Sequence, residues 1–255
     1  MRGSRGSLHR SMERSQCLVT LCVSIFTVGL SGPELRGQEP PPGTQPSVAA
    51  PVPPTSSTPA VPGEFGPTRL LLAPTGRSMP SGRGAVGLTE IGIPWCEWGL
   101  TRRVSVLAGA AVPLGVLGIS PKIQVYGGRR AQAALGVVAS FDDGGFGGIA
   151  YGVVTLGAAD AGVTLGYGYG FGQLADSGGS RGVLFLGGEK AIGRHLRLIV
   201  EGYVGGAAMG LPDATFLGGL RFGSGRWSVD VGVVVPVYET GSGTPVPLLT
   251  IGWAF

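Results

Sequence analysis

The chain is poor in charge. Asp, Glu, Lys and Arg make up 13% of its 255 residues, about half the roughly 25% of an ordinary soluble domain, which leaves little material for a water-facing surface. Cysteine and histidine are also scarce. Of three cysteines, Cys17 and Cys22 lie near the N-terminus and Cys96 stands alone after them. That spacing excludes a disulfide framework and, with only His9 and His195 in the chain, a zinc cluster. A helical period of 3.6 is absent after residue 37. The best helix-like stretch, Val104 to Ile119, is short for a membrane span and is interrupted by Pro113, which argues against a helical inner-membrane protein.

Glycine is abundant instead. The 49 glycines form no Gly-X-Y period and apolar content is ordinary, so neither collagen nor simple disorder fits. At the N-terminus, Arg2, Arg5, Arg10 and Arg14 precede an apolar run from Cys17 to Leu30 and then small and polar residues up to Gly37. This is the order of a secretory signal, expected here over residues 1–37; a tidier signal would begin at Met12. Its removal takes five of the 19 basic and two of the 15 acidic residues, leaving a nearly neutral chain. The basic balance therefore belongs to the leader and points to no nucleic-acid partner. No lipoprotein is expected, because Leu21 rather than a small residue precedes Cys22.

Residues 38–67 are rich in Pro, Ser, Thr and Ala, with runs at Pro40–Pro42 and Pro51–Pro54. Such a stretch has few donors for a sheet and no core to bury, and reads as a disordered, extended periplasmic linker. From Thr68 to Phe255 apolar residues alternate with small or polar ones. In the segment ending at Val235, the bulky positions are Trp227, Val229, Val231 and Val233; in the segment ending at Phe171, they are Val163, Leu165, Tyr167 and Tyr169. Between these last lie Thr164, Gly166, Gly168 and Gly170. A period of two signals strands. A soluble sandwich would wet its second face with Lys, Glu, Thr and Arg, whereas a barrel in lipid turns large apolar groups outward and keeps small and polar ones inside. The glycine-lined second face fits the barrel.

Counting back from Phe255 gives segments near 246–255, 226–236, 214–222, 195–205, 181–190, 162–171, 147–156, 131–140, 121–127, 103–112, 84–99 and 68–74. Short connections such as Gly223–Gly225 and Gly128–Arg130 alternate with longer ones such as Gln173–Ser180 and Tyr238–Pro245. The expectation is an all-β fold, a transmembrane antiparallel β-barrel of about twelve strands over residues 68–255, with ten as the fallback. Both termini are then periplasmic. The stretch 84–99 is long for one strand and contains Pro94, and 68–74 is short.

The terminal residues Leu249, Ile251, Trp253 and Phe255 resemble the C-terminal signature of Gram-negative outer-membrane barrels. In that family a terminal aromatic after alternating apolar residues is the assembly signal read by the barrel-assembly machinery. The resemblance implies a cell-outer-membrane location and, as partners, the machinery and outer-membrane lipid.

Alternation points Lys122, Gln124, Gln132, Glu189, Arg197, Glu201, Arg221 and Asp230 inward. Arg or Lys facing lipid would cost up to roughly 2–4 kcal/mol at the midplane, so these groups point inward, where they fill the lumen as a salt-bridge network, line a hydrated pore or bind a substrate. The set Arg197, Glu201, Arg221 and Asp230 comes from three successive strands. Catalysis is not expected: His195 sits beside a short turn, and Asp142 with Asp143 lies in a Gly-rich loop where a turn role comes first. No cofactor or metal is implied. The tyrosines and tryptophans, among them Trp95, Tyr126, Tyr151, Trp227 and Trp253, suit interfacial belts where they face outward. Tyr203, in contrast, falls on the lumenal face. The functional expectation is a structural or passive-diffusion, porin-like barrel that small solutes can enter. The alternatives are a surface ligand-binding barrel acting through its external loops, or a short autotransporter-like translocator.

Overall fold

The computed structural model describes residues 68–142, 145–172, 182–205, 212–239 and 241–255. The expected leader and linker, residues 1–67, lie outside them, as do Asp143 and most of two connections. Twelve antiparallel strands close into a barrel: β1 (Gly84–Thr89), β2 (Ile93–Gly99), β3 (Val104–Ala111), β4 (Val116–Gly127), β5 (Ala131–Asp142), β6 (Gly145–Gly157), β7 (Ala161–Gly172), β8 (Gly182–Ala191), β9 (Leu196–Gly205), β10 (Ala214–Ser224), β11 (Trp227–Tyr238) and β13 (Val246–Ala254). A two-residue strand, β12 (Gly241–Ser242), folds back on the end of β11. Each barrel strand pairs with its sequence neighbours, and β13 closes the ring on β1. No helix among the described residues is long and apolar enough to cross a membrane.

The expected count of twelve holds, but its allotment differs. Residues 84–99, expected as one long strand, are the hairpin β1–β2, turning at Glu90, Ile91 and Gly92. Residues 68–74, expected as the first strand, form no part of the wall; their one pairing is a local bridge between Arg69 and Pro74. Successive residues Leu70 and Leu71 are both buried, so the segment turns neither face to lipid as a wall strand must. The wall begins at Gly84.

All the tight turns after β2, β4, β6, β8 and β10 lie at the rim that carries the C-terminus, where Phe255 and Gly84 exchange backbone hydrogen bonds of 2.9 and 3.0 Å. The shortest joins β10 to β11 through Gly225, whose φ of 61° suits a residue without a Cβ. Arg102, Arg103, Arg129, Arg130, Arg194 and Arg226 sit exposed in these turns. At the opposite rim the connections are less uniform than the expected long loops. β3 passes to β4 through a single 3₁₀ turn, Val112–Leu114, and β5 to β6 through two residues.

The barrel is inside out relative to a soluble fold. Leu165, Tyr167, Leu186, Val200, Phe216, Val231 and Ile251 are exposed on the outside, while Thr155, Thr164, Ser105, Ser228, Asp230 and Arg221 are buried inside. The glycine face also has a specific packing reason. Gly87, Gly136 and Gly166 are direct cross-strand partners of Trp95, Tyr151 and Phe185, and an added Cβ would stand 2.3, 2.4 and 2.0 Å from those side chains. These three lumenal aromatics each lie over a glycine, which protects that backbone while leaving room for the ring. Trp95 and Tyr151, considered above for an interfacial belt, are lumenal and buried; Trp98, Trp227, Tyr126, Tyr167 and Tyr169 do face outward.

Candidate functional site

The lumen is occupied by the chain itself. Residues 68–75 form a tight hairpin, closed by hydrogen bonds from Leu70 N to Ala73 O and from Thr75 N to Thr68 O, each 2.9 Å. Leu70 and Leu71 are 0% and 2% exposed. Their bed is a lumenal apolar cluster that includes Val153, Phe185, Ile199, Leu217, Val234 and Leu248. Inward-facing side chains of that kind would be out of place in an aqueous pore, where the interior is polar.

Polar wall groups hold the hairpin by its backbone. The Glu201 carboxylate accepts the N–H groups of three successive residues, Leu71, Leu72 at 2.9 Å and Ala73 at 3.0 Å, and the Tyr203 hydroxyl at 2.7 Å. Successive N–H groups converging on one anion form a favourable electrostatic nest. This explains the inward Tyr203. Arg221 makes a two-pronged bond to Asp230, with both contacts at 2.8 Å, and donates from Nη2 to Leu70 O at 2.7 Å and from Nη1 to Arg69 O at 3.3 Å. Fork-on-fork geometry makes such a pair strong and directional. Lys122 Nζ donates to Thr68 O at 2.9 Å and sits 3.5 Å from Thr75 O.

The lower part of the segment is tied down nearer the C-terminal rim. Gly76 donates to Thr155 Oγ1 and its carbonyl accepts from Gln124 Nε2, both at 2.9 Å. Arg77 pairs with Glu189, which also meets Arg197 at 3.3 Å, and Arg77 reaches Ala158 O at 2.8 Å. Glu97 accepts the Thr68 hydroxyl at 2.7 Å. The Arg69 guanidinium lies 3.9 Å above the Trp95 ring, a cation–π contact.

Of the residues singled out in the sequence, Lys122, Glu189, Glu201, Arg221 and Asp230 are buried in the lumen and Arg197 is partly buried. Arg221 and Asp230 pair, Arg197 turns to Glu189, and Glu201 faces the hairpin backbone. Gln132 donates to Gly128 O at 2.7 Å, within its own turn. Leu249, Ile251 and Phe255 are exposed outside, and Trp253 stacks edge-on against Trp227 at 4.4 Å. His195 is exposed at the C-terminal rim, its Nδ1 3.0 Å from Gly223 O. Asp142 accepts the Gly145 N–H at 2.9 Å, a turn contact. Among the described residues no three His, Cys, Asp or Glu side chains gather as metal ligands.

Sequence reading missed Arg69, Arg77, Glu97 and the hairpin. One signal was present: inward positions held by Phe185, Leu217, Val234 and Leu248, for which a water-filled lumen has no use, point to a filled lumen but not to the segment that fills it.

No protein-family model matches the chain, and no curated protein matches it. Among solved structures it is similar to the NanC porin, at 11% identity over 68% of this chain and 98% of that one, with a TM-score of 0.45. A KdgM porin in complex with disordered oligogalacturonate aligns at 10% identity over 68% and 96%, with a TM-score of 0.48. OpdO of Pseudomonas aeruginosa aligns at 14% identity over 67% and 60%, with a TM-score of 0.36.

Proposed function

We propose that this protein is an outer-membrane barrel of porin-like architecture whose resting lumen is stoppered by its own residues 68–80. Its apolar exterior is matched to lipid, and the C-terminal rim, with its arginine-bearing turns, faces the periplasm. The observation that carries the reading is the Glu201 carboxylate on three consecutive hairpin N–H groups. Water could solvate a lone lumenal carboxylate, but this one is 4% exposed and takes its hydrogen bonds from the stopper and Tyr203. The barrel therefore serves the membrane as a closed structural element, and passage of small solutes requires the hairpin to leave its bed. Leu249, Ile251, Trp253 and Phe255 act as the signal for the assembly machinery.

Planar-bilayer recording of the purified chain tests this. The intact protein is expected to be silent apart from brief events, and Glu201→Ala to open far more often. Steady openings of the intact chain would show instead that the hairpin does not block the lumen.

A further inference from the structure

The barrel wall is not of even height. β1 and β2 have 6 and 7 residues, against 12 in β4, β5, β7 and β11. Six residues at about 3.3 Å each, on strands tilted by about 40°, lower the wall by roughly 15 Å. The wall at β1 therefore stands about 15 Å high where the apolar band of such barrels is about 25 Å tall, so its lip falls inside the membrane. The turn residues agree. Ile91 at the tip of the β1–β2 turn is 97% exposed and Val112, beside it after β3, is 64% exposed; at the other rim the exposed Leu100 and Ile192 are accompanied by Arg102, Arg103 and Arg194.

On the far side of the gap β13 runs on above β1. The β1 ladder ends where Glu90 N donates to Leu249 O and the Glu90 carboxylate accepts the Leu249 N–H, both at 2.8 Å. The next residue of β13 whose backbone faces that side is Pro247, which has no N–H to leave unpaired in lipid. The strand edge thus leaves no N–H unpaired at that position.

Directly behind the low wall lies a lumenal cavity of about 140 Å³ between β1–β6 and the hairpin. Its upper lining includes Thr89 and Ile93, the last residue of β1 and the first of β2, with Leu107 and Val138 beyond them; deeper in are Arg69, Lys122 and Glu97. Arg69 Nη2 is buried without a hydrogen-bond partner among the described residues. Apolar Ile93, Leu107 and Val138 line its upper part beside Thr89; the charged groups below are Arg69, Lys122 and Glu97, and Asp230 and Glu201 also act electrostatically on Arg69.

We propose that this notch admits a single-chain amphiphile with an anionic headgroup from the outer leaflet, its carboxylate or phosphate meeting Arg69 and its chain leaving over Ile93 into lipid. The site rests on the barrel lying in a membrane and not on its conducting. In a Trp98→Phe, Trp227→Phe, Trp253→Phe variant Trp95 reports on the cavity. In uncharged detergent, dibromododecanoate should quench it saturably, the brominated alcohol of equal length should act far more weakly, and Arg69→Gln should raise the midpoint at least about tenfold. Ile93→Trp, which fills the mouth, is read in the otherwise native chain by native mass spectrometry, where one bound dodecanoate should disappear. A brominated lysophospholipid in place of the fatty acid separates a lipid headgroup from a free acid as source. Non-saturating quenching equal for acid and alcohol, or no retained dodecanoate on the intact chain, would overturn the proposal. A heat-induced shift in gel migration in the same sample shows that such a failure is not a failure of the barrel.

Discussion

Replacing Glu201 by Ala strips the hairpin of its main polar anchor. Three N–H groups, those of Leu71 and Ala73 buried and that of Leu72 part-buried, lose their acceptor, at a cost of about 1–3 kcal/mol for each that water does not reach. Water entering beside the shortened side chain recovers part of this, so a net loss of about 3–5 kcal/mol in docking is the working figure. The apolar contacts of Leu70 and Leu71 remain, worth about 1.5–3 kcal/mol for each fully buried side chain. The bonds from Arg221 to Leu70 O, from Lys122 to Thr68 O and from Gln124 to Gly76 O also remain, so the hairpin should stay mainly docked but leave its bed far more often than in the parent. Glu201→Gln keeps the shape and one acceptor oxygen and should lie between Ala and the parent. Two assays read this together: single-channel recording, and modification of Leu71→Cys by a water-soluble maleimide after Cys96→Ser. Glu201→Ala is expected to conduct and to expose the cysteine at least about tenfold faster. A variant as silent and as protected as its parent, with unchanged heat-modifiability, would refute the assignment of Glu201 as the anchor.

Other perturbations separate the remaining parts of the account. Arg221→Ala leaves Asp230 buried without its partner and should destabilise by about 3–5 kcal/mol, whereas the double change Arg221→Leu, Asp230→Leu should cost less; urea unfolding in lipid vesicles measures both. Gly166→Val places methyl groups where the Phe185 ring lies 2.0 Å from a built Cβ and should sharply reduce the yield of folded barrel, with partial rescue by Phe185→Ala, scored as the unboiled gel band. Deleting Phe255 removes the hydrogen bonds to Gly84 and the ring packed 5.4 Å from Trp98, and should lower the amount of protein in the outer-membrane fraction; equal amounts would count against the terminal strand as assembly signal.

The wall was legible in the sequence because its two faces are chemically opposite. Val163, Leu165 and Tyr167 against Thr164, Gly166 and Gly168 can be read without coordinates, and the lumenal places of Lys122, Glu189, Glu201, Arg221 and Asp230 follow from the same alternation. The stopper was not legible. A short apolar segment bounded by proline, Thr68 to Pro74, satisfies a strand reading as well as a lumenal hairpin one, since what separates them is contact with residues more than a hundred positions away. The β1–β2 turn was hidden for a different reason: only Glu90, Ile91 and Gly92 separate the two strands, and its tip, Ile91, is apolar, so no polar cluster interrupts the run. Partner choice was also beyond alternation, which fixes the face of Arg197 but not that it turns to Glu189.

The central claim, a lipid-embedded closed barrel, is tested most directly by gel migration of the membrane fraction before and after boiling. The account predicts that the chain is recovered with the outer membrane and runs at different positions unboiled and boiled. Recovery in the soluble periplasmic fraction with a single, unchanged band would contradict it.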